Sequence, residues 1–332
     1  MKLTHALLGL LLAGTASTVL ADENLWLYTR GVETRPQGST ELKLQSIWRL
    51  GKNSGEYYFM DMRPEIEYGI TDRLTLGVSL IGFHHNYSDV EWAPMVDTQG
   101  GPGGSFDKMQ IGGFQTTLKY NVLNPFTNPV GLALGFTYDH RYAYRLDGAS
   151  IEQDSYIPRL FIQKNFLDDT LVWSLSGAWE LERRRSPGVL EEEMAPDVAM
   201  GVSYRIRPNL YIGFETRFQS DFLTPVIEGE VTEGKTSNWD LGDVRLGDQF
   251  QWGLYVGPAI HYSQKNWWLT VGALWQVKGW SADGPAASNQ GRNWDEHEKL
   301  HVGFIFGYEF NKPGQKVDMS AIGKNPVFTG SK

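Results

Sequence analysis

The sequence contains no cysteine, and that absence excludes several kinds of chemistry at once. Disulfide bonds, thiolate metal sites, cysteine nucleophiles and lipid attachment through an amino-terminal cysteine are all ruled out. Beyond residue 21 the chain also lacks any uninterrupted apolar run long enough to span a bilayer as a helix. Basic residues are outnumbered, with 30 Lys and Arg against 39 Asp and Glu, so nucleic acid is not expected as a partner.

Glycine and aromatic residues are abundant instead, with 37 glycines and 13% Phe, Trp and Tyr. This composition is typical of an all-β protein with many turns. Along residues 73–86, 266–279 and 298–310, apolar residues alternate with small or polar ones, which predicts β-strands with one apolar face. Twelve such strands are predicted, near 38–50, 55–68, 73–86, 109–122, 128–143, 154–166, 169–183, 194–206, 209–221, 248–263, 266–279 and 298–310.

The first 21 residues are predicted to be a cleavable signal peptide. Lys2 supplies a positive start, residues 6–14 form an apolar core, and Ala21 precedes the expected cleavage point. The apolar core is too short to span a bilayer. We therefore predict an exported protein whose mature chain begins at Asp22.

The predicted connections between strands alternate between short and long. The short ones are 69–72, 123–127, 167–168, 207–208 and 264–265, and the long ones are 87–108, 144–153, 184–193, 222–247 and 280–297, with 51–55 as a short member of the second set. In barrels that cross the bacterial outer membrane, short turns face the periplasm and long loops face outside. An even number of strands then puts both chain ends in the periplasm. The predicted layout is a periplasmic amino-terminal segment (22–37), a barrel (38–310) and a polar periplasmic tail (311–332).

Tyrosine recurs at the same place in the predicted hairpins. Tyr68, Tyr120, Tyr204 and Tyr262 each end a strand just before a short turn. Aromatic residues concentrate at the boundaries of the membrane. We therefore predict that these four tyrosines form part of an aromatic girdle at the periplasmic boundary.

Two stretches, residues 31–38 with the following Glu41 and residues 67–74, resemble a poorly characterised, porin-like group of Gram-negative outer-membrane β-barrels. The resemblance implies a transmembrane antiparallel up-and-down barrel in contact with outer-membrane lipid and lipopolysaccharide. The last predicted strand is similar to the assembly signal that the barrel-insertion machinery recognises in many such proteins; its aromatic residues are Phe304, Phe306, Tyr308 and Phe310. The chain departs from that signal in continuing for residues 311–332 beyond it.

Charged residues fall on one face of the alternation, and that face is predicted to line the barrel lumen. In the second strand Asp61 and Arg63 flank Met62, which would face lipid. An Arg or Lys facing lipid at the bilayer midplane costs about 2–4 kcal/mol, so the charged face points inward. The predicted lumen residues are Asp61, Arg63, Glu65, Glu67, Lys119, Asp139, Arg141, Arg159, Glu180, Glu182, Arg205, Glu215, Arg217 and Lys278.

Two functions remain open on this evidence. A twelve-stranded barrel is wider than the packed eight-stranded barrels and narrower than the large porins, so its lumen could pass small polar solutes between walls of both charge signs. The same charges could instead pair into a closed lattice, leaving a non-conducting scaffold or surface-interaction barrel. An inward fold of loop 222–247 or loop 87–108 would narrow a pore.

An enzyme is the third and weakest hypothesis. Some outer-membrane barrels are lipases or proteases, and His84, His85 and Asp89, or Asp295 and His297, would lie near the outer rim. No nucleophile elbow, zinc-binding motif or P-loop is present, and adjacent residues of a strand point to opposite faces. The sequence thus predicts no catalytic residue, no metal and no cofactor. An acidic outer loop with Glu228, Glu230 and Asp240 lacks calcium-loop spacing.

Overall fold

The computed structural model describes residues 24–91, 100–186, 189–223, 248–281 and 291–310. These residues form one closed antiparallel barrel of twelve strands. The strands are β1 (Thr40–Leu50), β2 (Glu56–Thr71), β3 (Leu74–Ser88), β4 (Ser105–Leu123), β5 (Gly131–Ala143), β6 (Ser150–Phe166), β7 (Leu171–Ser186), β8 (Val189–Arg207), β9 (Leu210–Leu223), β10 (Asp248–Ser263), β11 (Trp267–Ser281) and β12 (Leu300–Phe310). No helix within the described ranges is long and apolar enough to cross a membrane.

The predicted fold class and the twelve strands are confirmed. Each strand pairs with its neighbour in sequence, and β12 closes the barrel on β1 with Thr40 opposite Phe310. The two ends of the barrel are named here by their connections: β2–β3 and β8–β9 belong to the short-turn end, and the opposite rim is the long-loop end. β1 begins at the short-turn end and β12 ends there, as an even strand number requires.

One connection differs from the sequence prediction. Residues 184–193 were expected to form a long loop, but β7 continues to Ser186 and β8 begins at Val189. The ladder stays in register there, with Arg183 opposite Glu192 and Arg184 opposite Glu191. The alternation of short and long connections predicted a loop here, whereas the strand pairing continues as far as Ser186 opposite Val189.

Large apolar side chains cover the outward face of the barrel. Leu80, Ile66 and Phe136 lie within strands and are 57%, 54% and 45% exposed. Their strand neighbours on the inward face, such as Ser79 and Glu67, are buried. An apolar surface of this extent is stable only against lipid or another protein, which is the arrangement of a membrane-spanning barrel.

The chain before β1, residues 24–39, lies inside the barrel and is called here the N-terminal segment. Leu25, Trp26 and Leu27 are at most 3% exposed, and Gly38 and Ser39 bond to Gly69 at the short-turn end. The prediction that residues 22–37 form a separate periplasmic segment is therefore corrected for the part described. Burial of consecutive large apolar side chains favours the barrel interior over water.

Two connections fold inward at the long-loop end. Residues 144–149 pack over β2 and β3, where Tyr57 donates a hydrogen bond to the Leu146 carbonyl (2.7 Å) and Tyr87 donates to the Asp147 carbonyl (2.9 Å). Residues 291–299, which precede β12, fold into the lumen from the opposite side of the same rim. These were not the loops suggested by the sequence: residues 92–99 and 224–247 lie outside the described part of the chain.

Candidate functional site in the barrel lumen

One carboxylate of the inner wall binds the N-terminal segment through several hydrogen bonds. Glu215 of β9 accepts hydrogen bonds from the backbone N–H groups of Leu27 (3.1 Å), Tyr28 (2.9 Å) and Thr29, and from the Thr29 hydroxyl (2.8 Å). Glu215 is completely buried. A buried carboxylate is tolerated only when its oxygens are satisfied, so the segment and Glu215 stabilise each other.

The side chain of Arg30 extends from this segment across the lumen. Its backbone bonds to Ser176 and Ser174 of β7, while its Nη2 donates to Oε1 of Gln45 on β1 at 2.6 Å. In the order of the barrel, β1 and β7 are six strands apart in either direction. Arg30 therefore connects diametrically opposite walls, and the segment blocks the centre of the lumen.

Tyr28 lies deeper in the lumen, between a cation and a stacked pair of rings. The Arg217 guanidinium lies 3.8 Å from the centroid of the Tyr28 ring, and the Tyr28 hydroxyl is hydrogen bonded to Nδ1 of His301 at 2.8 Å. His301 stacks on Tyr255 with ring centroids 4.2 Å apart. Its other nitrogen, Nε2, is 3.1 Å from a carboxylate oxygen of Glu298. A proton on Nε2 satisfies both contacts, because Nδ1 then accepts from the tyrosine.

Glu298 belongs to the inward-folded residues 291–299 and sits among cations at the long-loop end. Arg49 and Lys52 lie 3.8 and 3.6 Å from its carboxylate. Burial alone would raise the pKa of Glu298, but Lys52, the His301 hydrogen bond and Arg49 hold that pKa well below its ordinary value. The neighbouring His297 has its pKa lowered far below the usual range by burial. Glu298 is therefore a charged anchor that joins the long-loop closure to β1 and, through His301, to the N-terminal segment.

The inward charges pair along the wall and not across the lumen. Within single strands, Arg63 bonds to Asp61 (2.9 Å) and Arg141 to Asp139 (2.9 Å). Between neighbouring strands, Arg217 bonds to Asp197 at 2.5 Å. Other pairs are Lys43 with Glu65 and Glu67, Arg141 with Glu180, and Arg184 with Glu182. These ion pairs therefore lie against the wall, and among the described residues the contacts across the lumen come from the N-terminal segment and the inward loops.

Some inward side chains remain accessible to solvent, and they mark a chamber inside the barrel. The side chains of Asp197, Glu65, Arg63 and Glu180 keep 34%, 21%, 20% and 18% of their accessible surface while facing the lumen. Arg159 also faces this space and donates to the Thr137 hydroxyl at 2.9 Å. The lumen thus contains solvent-accessible charged side chains of both signs, between Arg30 on one side and residues 144–149 and 291–299 on the other.

All but one of the predicted lumen residues lie on the inward face. The exception is Lys278, which is exposed and lies opposite Leu254 on the outward face of β10. A register shift at Leu254 and Tyr255 lets the pairing skip Val277, so the alternation of β11 changes face there. The prediction for Lys278 was therefore wrong, because strict parity does not survive a β-bulge.

The aromatic residues singled out in the sequence are on the outward face. Tyr68, Tyr120 and Tyr204 are 45%, 46% and 47% exposed beside the short turns, and Tyr262 is half-buried. The aromatic residues of β12 from Phe304 to Phe310 also point outward. Roles in a membrane girdle and in assembly remain predictions. The predicted signal peptide and the tail 311–332 lie outside the described residues.

The histidines considered for catalysis do not form a common site. His85 faces inward, stacks on Phe59 at 4.5 Å and bonds to the Arg145 carbonyl, whereas His84 faces outward and lies 2.8 Å from Asp107. His297 bonds to Gln219 within the lumen. In the described ranges, no group of three or more His, Asp and Glu residues is arranged to hold a metal ion.

Comparisons with solved structures give the same barrel architecture. The chain is similar to the COG4313 outer membrane channel from Pseudomonas putida F1, with a TM-score of 0.54 and 11% identity over 84% of this chain and 98% of that chain. Weaker similarities are to the KdgM porin in complex with disordered oligogalacturonate (TM-score 0.42, 11% identity, 82% and 99% coverage) and to the NanC porin (TM-score 0.42, 9% identity, 82% and 100% coverage). No curated protein matches the sequence.

The similarity to the COG4313 outer membrane channel confirms the antiparallel β-barrel fold that the sequence predicts. At the level of sequence, one family model matches residues 18–310. The protein belongs to DUF6662, a family of unknown function.

Proposed function

We propose that this protein is an outer-membrane channel for passive passage of small hydrophilic solutes. The observation that carries the proposal is the partial solvent accessibility of four charged side chains that face the lumen, those of Asp197, Glu65, Arg63 and Glu180. In this proposal the permeant passes between the ion pairs, which run along the wall. A lumen lined by fixed charges of both signs favours polar permeants over apolar ones.

The apolar outward surface and the barrel fold support a location in the Gram-negative outer membrane, in contact with lipid and lipopolysaccharide. In this proposal a signal peptide ending at Ala21 directs export, the short-turn end faces the periplasm, and the N-terminal segment is the narrowest part of the pathway. No chemical step and no cofactor is required.

One observation favours the alternative of a non-conducting scaffold or surface-interaction barrel. Arg30 joins opposite walls, and a segment fixed in this position would stop solutes. The two functions differ in whether the segment moves out of the lumen.

Planar-bilayer recordings of the purified, refolded protein test the channel directly. We expect discrete conductance steps, together with swelling of liposomes in small sugars and the heat-modifiable migration typical of a folded barrel. Bilayers that stay silent with barrel that is demonstrably folded would overturn the channel and leave the scaffold.

A further inference from the structure

The contacts of the N-terminal segment point to a binding site for a class of ligand. Along residues 24–35 nine main-chain atoms bond to side chains of the barrel wall, from the Asn24 carbonyl to the Arg35 N–H. The wall residues are Thr270, Glu215, Ser176, Ser174, Gln163, Asn121 and Thr75, called here the main-chain track.

The track provides both donors and acceptors for a chain that bends at residues 25–28, where the N–H groups of Leu27, Tyr28 and Thr29 converge on Glu215. At Val32, Gln163 accepts from the N–H (3.2 Å) and Asn121 donates to the carbonyl (2.8 Å). At Arg30, Ser176 accepts from the N–H (3.3 Å) and Ser174 donates to the carbonyl (2.8 Å). These contacts involve atoms that every peptide carries, so they select for peptide backbone more than for particular side chains.

Space for bulky side chains is provided at the amino end of the track. A Cβ atom on Gly201 would lie 2.3 Å from the Trp26 ring, and one on Gly272 would lie 3.0 Å from Leu27 Cγ. Both glycines are in strands, where glycine commonly marks a close approach of another group. Glycine here leaves the wall open for the Trp26 and Leu27 side chains.

We propose that the main-chain track binds oligopeptides in the bent conformation of the N-terminal segment, that this segment is its resident occupant, and that free peptides displace it. Removal of the segment leaves the completely buried Glu215 without its four hydrogen-bond donors. A bound peptide that again covers Glu215 must supply equivalent N–H donors, because an unsatisfied buried carboxylate is costly. The proposal rests on the proposed function in placing this site within the conduction pathway.

Displacement can be measured in the full chain, because the native protein has no cysteine. In a Leu27→Cys variant the thiol replaces a side chain that is completely buried at 0% exposure, so labelling by a maleimide reports departure of the segment. We expect a synthetic peptide with the sequence of residues 24–35 to accelerate labelling in a saturable way. A peptide with identical side chains but N-methyl groups at positions 28, 29 and 32 lacks the donors and should leave the labelling rate unchanged.

Direct binding provides the second measurement. A chain with residues 24–35 deleted should bind the fluorescent peptide, and Glu215→Ala in that chain should weaken binding by about tenfold or more, since bonds to a buried charge are among the strong ones. Glu180→Gln is the matched control, because Glu180 also faces the lumen but bonds to Arg141. If the deleted chain does not fold, the labelling experiment still decides.

Several outcomes would overturn the proposal. Equal acceleration by the N-methylated peptide would show that main-chain donors are not recognised. Acceleration by a linear neutral oligosaccharide and not by peptide would assign the track to carbohydrate. Absence of any effect would leave the segment as a fixed part of the barrel. Conductance is measured separately, so a channel that conducts without binding peptide loses only this inference, and a silent barrel that binds peptide loses only the channel.

Discussion

Arg30 and Gln45 are joined across the barrel, with Arg30 Nη2 donating to Gln45 Oε1 at 2.6 Å from a backbone fixed to the opposite wall. The contact makes one side chain responsible for the closure at the centre of the lumen. Removing that side chain should therefore change permeation more than it changes the barrel.

We expect Arg30→Ala to raise single-channel conductance while the folded fraction stays the same. The backbone bonds to Ser174 and Ser176 remain in this variant, so the segment keeps its place on β7. Arg73→Ala, in an exposed short turn, is the control and should conduct as the native chain does. Conductance unchanged by Arg30→Ala would mean that the pathway is closed elsewhere.

A disulfide between the segment and the wall should hold the closed state. A Cβ on Gly272 would lie 3.0 Å from Leu27 Cγ. In a Leu27→Cys variant the sulfur takes the place of that Cγ, and this separation between the Cβ of one cysteine and the sulfur of the other fits an S–S bond of about 2.05 Å. We expect the Leu27→Cys and Gly272→Cys double variant to conduct weakly when oxidised and to recover on reduction. Each single variant should be insensitive to the reductant. A reductant-independent double variant, with the disulfide verified by mass spectrometry, would contradict displacement of the segment.

Ion selectivity should depend on the pair between Asp197 and Arg217. Asp197 is the more accessible partner in the chamber, so Asp197→Asn leaves Arg217 as an uncompensated cation facing the permeant. Reversal potentials in a potassium chloride gradient should shift toward anion preference. Asp107→Asn, which removes a carboxylate from the outward face, is the control and should give no shift. A shift toward cations in Asp197→Asn would rule out this location of the pathway.

The closure at the long-loop end should depend on pH through Glu298. Its pKa in the folded protein lies well below the ordinary value of about 4.3. A lowered folded pKa means that its stabilisation is complete above the ordinary value and is lost as pH falls through the folded pKa. Glu298→Gln should lower the free energy of unfolding by about 1–3 kcal/mol at pH 7.

Urea titrations of both chains from pH 7 downward check this expectation. The difference in free energy of unfolding between the native and Glu298→Gln chains should be constant down to about pH 5. It should shrink in more acidic buffer, where the Glu298 carboxylate, which the variant lacks, takes up a proton. A difference that grows with acidification would contradict the assigned direction of the pKa.

Membrane insertion is tested on the outward face. Leu80→Arg puts a cation where a large side chain is 57% exposed within β3, and we expect it to destabilise the lipid-embedded barrel by about 2–4 kcal/mol. Leu167→Arg, in a short turn, should cost about 0–1 kcal/mol because it lies near the interface. Equal effects in a urea titration in lipid vesicles would mean that Leu80 does not face lipid.

The barrel itself was predictable because the alternation of side chains is local. In β2 and β3 each residue's face follows from its immediate neighbours, and the predicted strands agree closely with the observed ones. Lys278 was assigned to the wrong face because the bulge depends on pairing with β10, which the sequence of β11 does not contain.

The position of the N-terminal segment was missed for a related reason. Its partners Gln163 and Glu215 are 131 and 188 residues away in sequence from the backbone groups that they bind. Local sequence patterns do not predict contacts between residues so far apart. A signal was nevertheless present: Leu25, Trp26 and Leu27 are too apolar for a solvated extension. Inward-facing Gly201 and Gly272 were the complementary signal on the wall.

The covalent link between the N-terminal segment and β1 has a kinetic and thermodynamic consequence. Only Pro36 to Ser39 separate the bound residues from the barrel, so a displaced segment cannot diffuse away. Short tethers of this kind maintain an effective concentration in the millimolar range. In the proposed displacement, a soluble peptide must therefore reach a comparable concentration in the lumen, so abundant peptide would displace the segment and traces would not.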